Sequence, residues 1–429
     1  MRPIAMSRWG ARNDTGGRRS RQLDVVFYLA CTVFAGSTAL TSEFFGYRIW
    51  GAISLAGYLF GLGQAVFALR TNPQATVGRW RRLVVSRHTP IGLIAVLGMV
   101  VPLVVLLITR LRRVLWSEQP EVWVIERSMT LLLHHGTPYT DLAALGRPPI
   151  VDDYTPYGPV MTVFGLPRAI LGAASPLGDA RIAFAVGSVA IVALALRVAG
   201  RPSIPVRALQ LVVACPLTVL TLSVAGDDVA IVSLMLLALA LLHARRPIPC
   251  AAVITVAVSM KLTATPALVV LAVAVAAMLG SPALARFLAT VAGLGTVLNL
   301  PVLLVDPGSF VEHVIRFPVG LGRAHSPAAS PLPGNLIART GPIGHDIALA
   351  LLLLGGLTMA AWLVRRPPRT TADAALRMAI GLAGAIMLAP ATRYGYLVYP
   401  VVLLGAAFAL RAADTPAPED TVALAEAVN

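Results

Sequence analysis

One polar stretch interrupts a chain that is otherwise largely apolar. Residues 116 to 159 read WSEQPEVWVIERSMTLLLHHGTPYTDLAALGRPPIVDDYTPYGP. The chain has 20 acidic residues, and this stretch holds Glu118, Glu121, Glu126, Asp141, Asp152 and Asp153. A segment of this length without the composition of a flexible linker is typical of a functional loop. The alternative is a solvated connector whose carboxylates only keep it hydrated.

The composition on both sides of this stretch predicts a membrane protein. The chain of 429 residues is 57% hydrophobic and 13% charged, whereas soluble domains carry roughly 25% charged residues. Its apolar runs, of about 17–25 residues, suit spanning helices rather than barrel strands. The net charge of +15 comes from short basic clusters between these runs. Such clusters are typical of cytoplasmic loops and not of nucleic-acid binding.

The order of apolar runs and basic clusters predicts an all-α, polytopic transmembrane bundle with about 11–13 membrane segments, some of them re-entrant. Residues 1–22 are expected to form a basic cytoplasmic tail, and residues 413–429 a disordered cytoplasmic tail. Residues 23–412 are expected to form the membrane domain. Residues 110–159 and 306–344 are expected to be its two outer loops.

Two segments depart from the simple alternation of spans. Residues 160–174 are short and contain Gly165, Pro167 and Arg168, so we expect a re-entrant or interfacial piece on the outer side. Residues 249–280 are too long for one span and have arginines before and after them. Two short helices that meet near Lys261 would place both flanks on the cytoplasmic side.

Arg110, Arg112 and Arg113 follow a span on the side where positive charge is disfavoured. Ordinary flanking charge explains them, and so does a cluster that meets an anionic lipid head group. The sequence leaves both explanations open.

Lys261 is the only lysine in the chain, and it lies inside an apolar segment, VSMKLTATP. A charge at membrane depth costs about 2.5–3.5 kcal/mol on insertion scales, so it normally faces a cavity or a partner. A contact with a phosphate at the mouth of a lipid-facing pocket would satisfy it. A lysine that snorkels at a helix end is the alternative.

Other charged and aromatic residues fall near the expected outer edge of the membrane. Asp227 and Asp228 would stabilise a helix N-terminus, or else hold sugar hydroxyls or a cation. Tyr394 fits an interfacial tyrosine belt, and Arg393 could bind a phosphate with two hydrogen bonds. No nucleotide-binding loop, zinc motif or nucleophile elbow is found in the sequence. Carboxylates, arginines, a lysine and tyrosines suit glycosyl transfer from a phosphate leaving group.

The order of these motifs resembles a known family. The outer loop contains HHGTPYTD and DDYTPYGPVMTVFGLP, and GDDVAIVSLMLLALALLHARRP, MKLTATP and LAPATRYGYLVYP follow it. From Glu118 to Leu410 this pattern resembles the GT-C membrane glycosyltransferases, specifically glycosyltransferase family 87 of actinobacteria. These are similar to polyprenol-phosphate-mannose-dependent α-mannosyltransferases of the cell envelope.

The resemblance implies particular roles. Glu121, with Glu126 close by, matches the position of the family's catalytic aspartate, and a glutamate there is a departure. Gly136 to Tyr139 and Tyr154 to Tyr157 match two further motifs, Gly226 to Asp228 replaces a third, and Lys261 matches the family lysine. The residues expected to bind substrate are Tyr139, Asp141, Asp152, Asp153, Tyr154, Tyr157, Asp227, Asp228, Lys261, His313, Arg316, Arg393 and Tyr394.

We therefore predict a glycosyltransferase in the cell membrane with its active site outside. It would transfer a sugar, taken as mannose, from a polyprenyl-phosphate donor to a lipid or glycan acceptor, without a cofactor or a bound metal. The alternatives are a transporter or flippase of lipid-linked saccharides, and an inactive relative. A loop of this length rich in carboxylates favours the enzyme, because transporters more often show repeated halves with broken helices at the midplane.

Overall fold

The computed structural model describes residues 17–70, 86–324 and 326–414. Residues 1–16, 71–85, 325 and 415–429 lie outside these ranges, and they include most of the two expected terminal tails. The described residues form helices but no β-strand, and one isolated β-bridge joins Ala329 and Thr392.

Sixteen helices follow one another along the described chain. They are α1 (Arg18–Thr41), α2 (Phe45–Arg70), α3 (His88–Leu111), α4 (Pro120–His135), α5 (Pro159–Leu171), α6 (Ala180–Val198), α7 (Val206–Val224), α8 (Asp227–His243), α9 (Pro247–Met260), α10 (Thr265–Leu279), α11 (Ser281–Val305), α12 (Pro307–Phe310), α13 (Pro333–Ala338), α14 (Pro342–Arg365), α15 (Thr371–Leu388) and α16 (Val398–Asp414). Turns of π-helix interrupt α3 and α7 and extend α12.

Ten of the helical segments in the described residues are long and apolar enough to cross a membrane. The protein is therefore a multi-pass helical bundle, as the sequence predicts. Two further helices of the bundle are shorter, since α8 has 17 residues and α9 has 14. The predicted break between two short helices is confirmed: α9 ends at Met260, and Lys261 has extended backbone angles.

Helix α8 is the centre of the bundle. Fifteen of its 17 residues are buried, and it packs against α6 and α9. A helix that is apolar all round is expected in such a position. It begins with two aspartates, Asp227 and Asp228. This central helix therefore places two carboxylates at one end of the bundle.

The loops that join successive membrane helices lie alternately at the two ends of the bundle. At one end, the basic end, the His243 imidazole lies 3.1 Å from the Thr371 hydroxyl, and Arg245 donates to the Met278 carbonyl. At the other, the cavity end, the backbone of Gly46 bonds to Trp116 and that of Gln119 to Val224. Both long insertions, 112–179 and 306–341, lie at the cavity end.

The first insertion packs directly on the α9–α10 break. The Gly158 amide donates to the Met260 carbonyl at 2.8 Å. A Cβ atom at Gly158 would lie 2.2 Å from the Ser259 carbonyl oxygen, so only glycine permits this approach. The neighbouring residue, Tyr157, is thereby placed beside the start of α8.

Candidate active site

A cavity of about 1060 Å³ opens at the cavity end. Both insertions and the ends of the membrane helices contribute to its walls, which are mostly apolar. A few polar side chains point into it, and this combination is typical of ligand sites. The charged residues and tyrosines that line it are Tyr47, Glu121, Asp152, Tyr154, Tyr157, Lys261, Arg393, Tyr394 and Tyr396.

Lys261 is held by two carboxylates at the base of the cavity. Its Nζ lies 2.6 Å from an oxygen of Asp228 and 3.2 Å from an oxygen of Asp227. The ammonium also lies 5.3 Å from the ring centre of Tyr157 and 5.0 Å from that of Tyr396. Such positions over an aromatic face are attractive for a cation. Lys261 therefore has internal partners and does not need to reach the membrane surface.

Two tyrosine hydroxyls also bind the aspartates. The Tyr399 hydroxyl donates to Asp228 at 2.6 Å, and the Tyr157 hydroxyl donates to Asp227 at 3.2 Å. Both aspartates are buried, and Lys261 separates them from the cavity. The helix N-terminus and the charge of Lys261 both stabilise them.

Glu121 lies in the first turn of α4, which begins with Pro120. One of its carboxylate oxygens pairs with Arg393, which lies just before the short helical turn that leads into α16. The other oxygen, Oε2, is buried and finds no hydrogen-bond partner in the described chain. A buried acceptor without a partner is costly, and this distinguishes Glu121, which lines the cavity, from a carboxylate that the protein fully satisfies.

Glu126, one and a half turns further along α4, has a different environment. Arg110 binds both of its oxygens at 2.8 Å, and the amide of Ala180 donates to it at 3.0 Å. Arg168 lies 3.5 Å away. Glu126 does not line the cavity, so the structure separates the two glutamates that the sequence leaves as candidates.

Arg110 lies at the centre of this ion cluster, and its contacts decide between the explanations that the sequence leaves open for it. It also pairs with Glu118 at 2.9 Å and with Asp179 at 2.6 Å. Burial opposes ionisation of Asp179, but Arg181 and Arg110 outweigh it and lower the pKa of this carboxyl to about 2. Arg110 is thus neither ordinary flanking charge nor a lipid contact; it joins α3, α4 and α6. Arg112 and Arg113 are exposed.

His313 connects the two insertions. Its Nδ1 accepts from the Thr155 amide at 2.9 Å, so Nε2 carries the proton and donates to the Thr140 carbonyl at 3.0 Å. The ring stacks on Tyr139. Burial lowers the pKa of His313 to about 4 despite the nearby carboxylates of Glu312 and Asp306.

The remaining candidates of the first insertion mostly bind other parts of it. The Tyr139 hydroxyl donates to the Tyr157 carbonyl, and the Tyr154 hydroxyl donates to Glu312, both at 3.1 Å. Asp153 accepts two hydrogen bonds from Arg147, and these lower its pKa. Asp141 accepts from the amides of Ala143 and Ala144 in an exposed turn.

The structure thus divides the predicted substrate residues into two groups. Those that line the cavity are Asp152, Tyr154, Tyr157, Lys261, Arg393 and Tyr394, and those that lie outside it are Tyr139, Asp141, Asp153, Asp227, Asp228, His313 and Arg316. Arg316 is largely exposed and lies 3.4 Å from Glu312. Tyr47 lines the cavity although it lies far away in sequence, and no local motif identifies it.

Among the described residues, no group of three or more histidines, cysteines or acidic residues could hold a metal ion.

Comparison with known proteins gave one finding. Residues 151–277 match a family model described as alpha-(1->6)-mannopyranosyltransferase, N-terminal domain. No curated protein and no solved structure matches the chain. The matched region runs from the second half of the first insertion through α8 and the α9–α10 break, and so includes Tyr157, Asp227, Asp228 and Lys261.

Proposed function

We propose that this protein is a membrane mannosyltransferase that takes mannose from a polyprenyl-phosphate donor on the outer side of the membrane. The observation that carries the proposal is Glu121, which has a buried carboxylate oxygen without a partner among the described residues and lines a large cavity together with Arg393 and Lys261. The match to a mannopyranosyltransferase model over residues 151–277 supports mannose as the sugar.

The orientation rests on arginines near the basic end, which is expected to be cytoplasmic. The arginines at or near the helix ends on this side are Arg70, Arg87, Arg197, Arg201, Arg245, Arg246, Arg365, Arg366 and Arg369. With this orientation the cavity and both insertions face outward. On that side the donor would be a lipid-linked sugar and not a nucleotide sugar, so the protein would need no nucleotide-binding site.

The shape of the cavity suits a donor with a long apolar tail. Its polar groups lie at the level of the insertions, and its walls continue along membrane helices. The wall residues include Phe34 and Thr38 of α1, Leu217 and Leu220 of α7, Leu352 of α14, and Leu382 and Ala385 of α15. A polyprenyl chain would lie against these walls because burial of apolar surface is favourable.

Glu121 is the base in this proposal. Its free oxygen accepts the proton of the acceptor hydroxyl while that oxygen attacks the anomeric carbon of mannose. The bond from this carbon to the phosphate oxygen breaks, and polyprenyl phosphate leaves with the electron pair. Cationic groups in a cavity of low dielectric stabilise the charge that develops on the phosphate. We also propose that transfer needs no metal ion, since an ammonium, Lys261, already lies between the two aspartates.

Glu121→Gln tests the proposal. The amide keeps the size of the side chain but cannot accept a proton, so mannose transfer should fall by about 100-fold or more. The assay uses purified protein in nanodiscs, polyprenyl-phosphate mannose with a radiolabelled sugar, and lipid extract from a deletion strain as acceptor. Transfer by the wild type should persist in a chelator.

Two variants serve as comparisons. Glu43→Gln changes an exposed carboxylate outside the cavity and should transfer at the wild-type rate. Glu126→Gln should lower stability because it leaves Arg110 without part of its buried partner. A wild-type rate for Glu121→Gln would remove Glu121 as the base. Movement of the lipid-linked sugar across the bilayer without a new glycosidic bond would instead identify a flippase.

A further inference from the structure

The two cations of the cavity have different counterions. Lys261 contacts two carboxylates, so the cluster of Lys261, Asp227 and Asp228 carries a net charge of −1 when all three are ionised. Arg393 pairs with one carboxylate among the described residues, that of Glu121. The ammonium of Lys261 is therefore already balanced by carboxylates, whereas a phosphate competes with a single carboxylate for Arg393.

The backbone around Arg393 is fixed independently of Glu121. The Ser330 amide donates to the Thr392 carbonyl at 2.9 Å, and the Thr392 amide donates to the Ala328 carbonyl at 2.8 Å. On the other side, the Tyr394 amide donates to the Ser330 hydroxyl at 3.1 Å. The second insertion thus holds the backbone at Arg393 beside the cavity, and loss of the pairing with Glu121 would leave these backbone contacts intact.

Glu121 is the group that loses its charge in the proposed reaction. Its side chain is 19% exposed and that of Arg393 is 32% exposed, so the pair is largely shielded from water. Charges in such surroundings interact more strongly than in bulk water. Protonation of Glu121 would leave the Arg393 guanidinium without its carboxylate partner at the moment when a phosphate gains charge.

We propose that the Glu121–Arg393 ion pair is exchanged during the reaction for an ion pair between Arg393 and the leaving phosphate. This inference rests on the proposed function. The acceptor proton moves to Glu121, the new bond to the anomeric carbon forms, and the old bond leaves its electrons on the phosphate. One negative charge disappears at Glu121 and one appears on the phosphate, so the net charge around Arg393 is unchanged.

The exchange has a consequence that can be measured without turnover. In the resting protein, ionised Glu121 competes with any phosphate for Arg393. Removal of the glutamate charge should therefore tighten the binding of an isoprenyl monophosphate, although the same change should greatly slow transfer. The gain should require Arg393.

The experiment is calorimetric titration of farnesyl phosphate into purified protein in nanodiscs of neutral lipid. We expect Glu121→Gln to bind at least ten-fold more tightly than the wild type. Arg393→Gln should bind more weakly than the wild type, and the double variant should not recover the ten-fold gain. Glu43→Gln, which removes an exposed carboxylate, should bind like the wild type.

Several results would overturn the exchange. Equal or weaker binding by Glu121→Gln would do so, and so would a gain that persists in the Glu121→Gln, Arg393→Gln double variant. If the wild type also transfers mannose, either result removes the exchange and leaves the proposed function intact. If tightening depends on Arg393 but no mannose is transferred, the assigned reaction is wrong. Absence of farnesyl phosphate binding in every form overturns both.

Discussion

At the scale of single residues, the charged side chains of this protein fall into clusters with different surroundings. Glu126, Arg110 and Asp179 form a buried cluster whose members are satisfied by one another. Glu121 and Arg393 form a pair that borders the cavity and has one free carboxylate oxygen. Full satisfaction is expected of structural ion pairs, and incomplete satisfaction next to a cavity is expected of groups that act on a ligand.

His313 makes stability depend on pH. Its pKa in the folded protein is about 4, below the value of about 6.5 in an unfolded chain. Between these values the unfolded state binds more protons, so the free energy of unfolding should fall as the pH drops from about 6.5 to about 4, by roughly 1–3 kcal/mol from this residue. Thermal unfolding in detergent at pH 7.5 and pH 4.5 measures the change.

The matched variant is His313→Gln, whose amide can still accept from Thr155 and donate to Thr140 but does not titrate. It should lose less stability than the wild type between the two pH values. An identical loss in both proteins would show that other groups cause the pH dependence.

At the scale of helices, the sequence predicts the elements better than their contacts. Apolar runs and flanking arginines predict a multi-pass helical bundle and the break near Lys261, because these features act locally. The pairing of Lys261 with Asp227 and Asp228 connects positions 34 and 33 residues apart, and that of Glu121 with Arg393 connects positions 272 apart. Such pairings depend on how helices pack, which no local pattern records. For the same reason the sequence leaves Glu121 and Glu126 unresolved as candidates.

Lys261 lies at the α9–α10 break and forms ion pairs with the first two residues of α8. It should therefore contribute to the stability of the fold as well as line the cavity. From the sequence alone, removal of a membrane charge is expected to help folding. The structure reverses this expectation for Lys261→Met, since Asp227 and Asp228 would lose their counterion. Removal of one partner from a buried ion pair costs about 3–5 kcal/mol, and we expect a lower unfolding temperature.

A second substitution separates charge from packing in this test. Adding Asp228→Asn to Lys261→Met should recover part of the lost stability, because one uncompensated carboxylate is removed. Fluorescence-detected thermal unfolding in one detergent compares the three proteins. Wild-type stability in Lys261→Met alone would contradict the ion cluster.

At the scale of the whole molecule, the alternation of helices gives a definite prediction of topology. The basic end should face the cytoplasm and the cavity end the outside. A cysteine at the exposed position Ala144 should react with an impermeant thiol reagent on intact cells, and one at the exposed position Arg369 should react only after permeabilisation. The three native cysteines, Cys31, Cys215 and Cys250, are buried or half-buried and can be replaced beforehand. The opposite labelling pattern would invert the protein and the proposed side of transfer.

The order of the charged residues along the chain has a consequence for synthesis of the protein in the cell. Asp227 and Asp228 leave the ribosome before Lys261, and at about 5–20 residues per second they wait a few seconds for their counterion. Helix α8 cannot settle at the centre of the bundle during that time without burying two uncompensated carboxylates. Helices α8 and α9 should therefore enter the bilayer core together. Chains released before Lys261 should remain with the insertion machinery and be degraded.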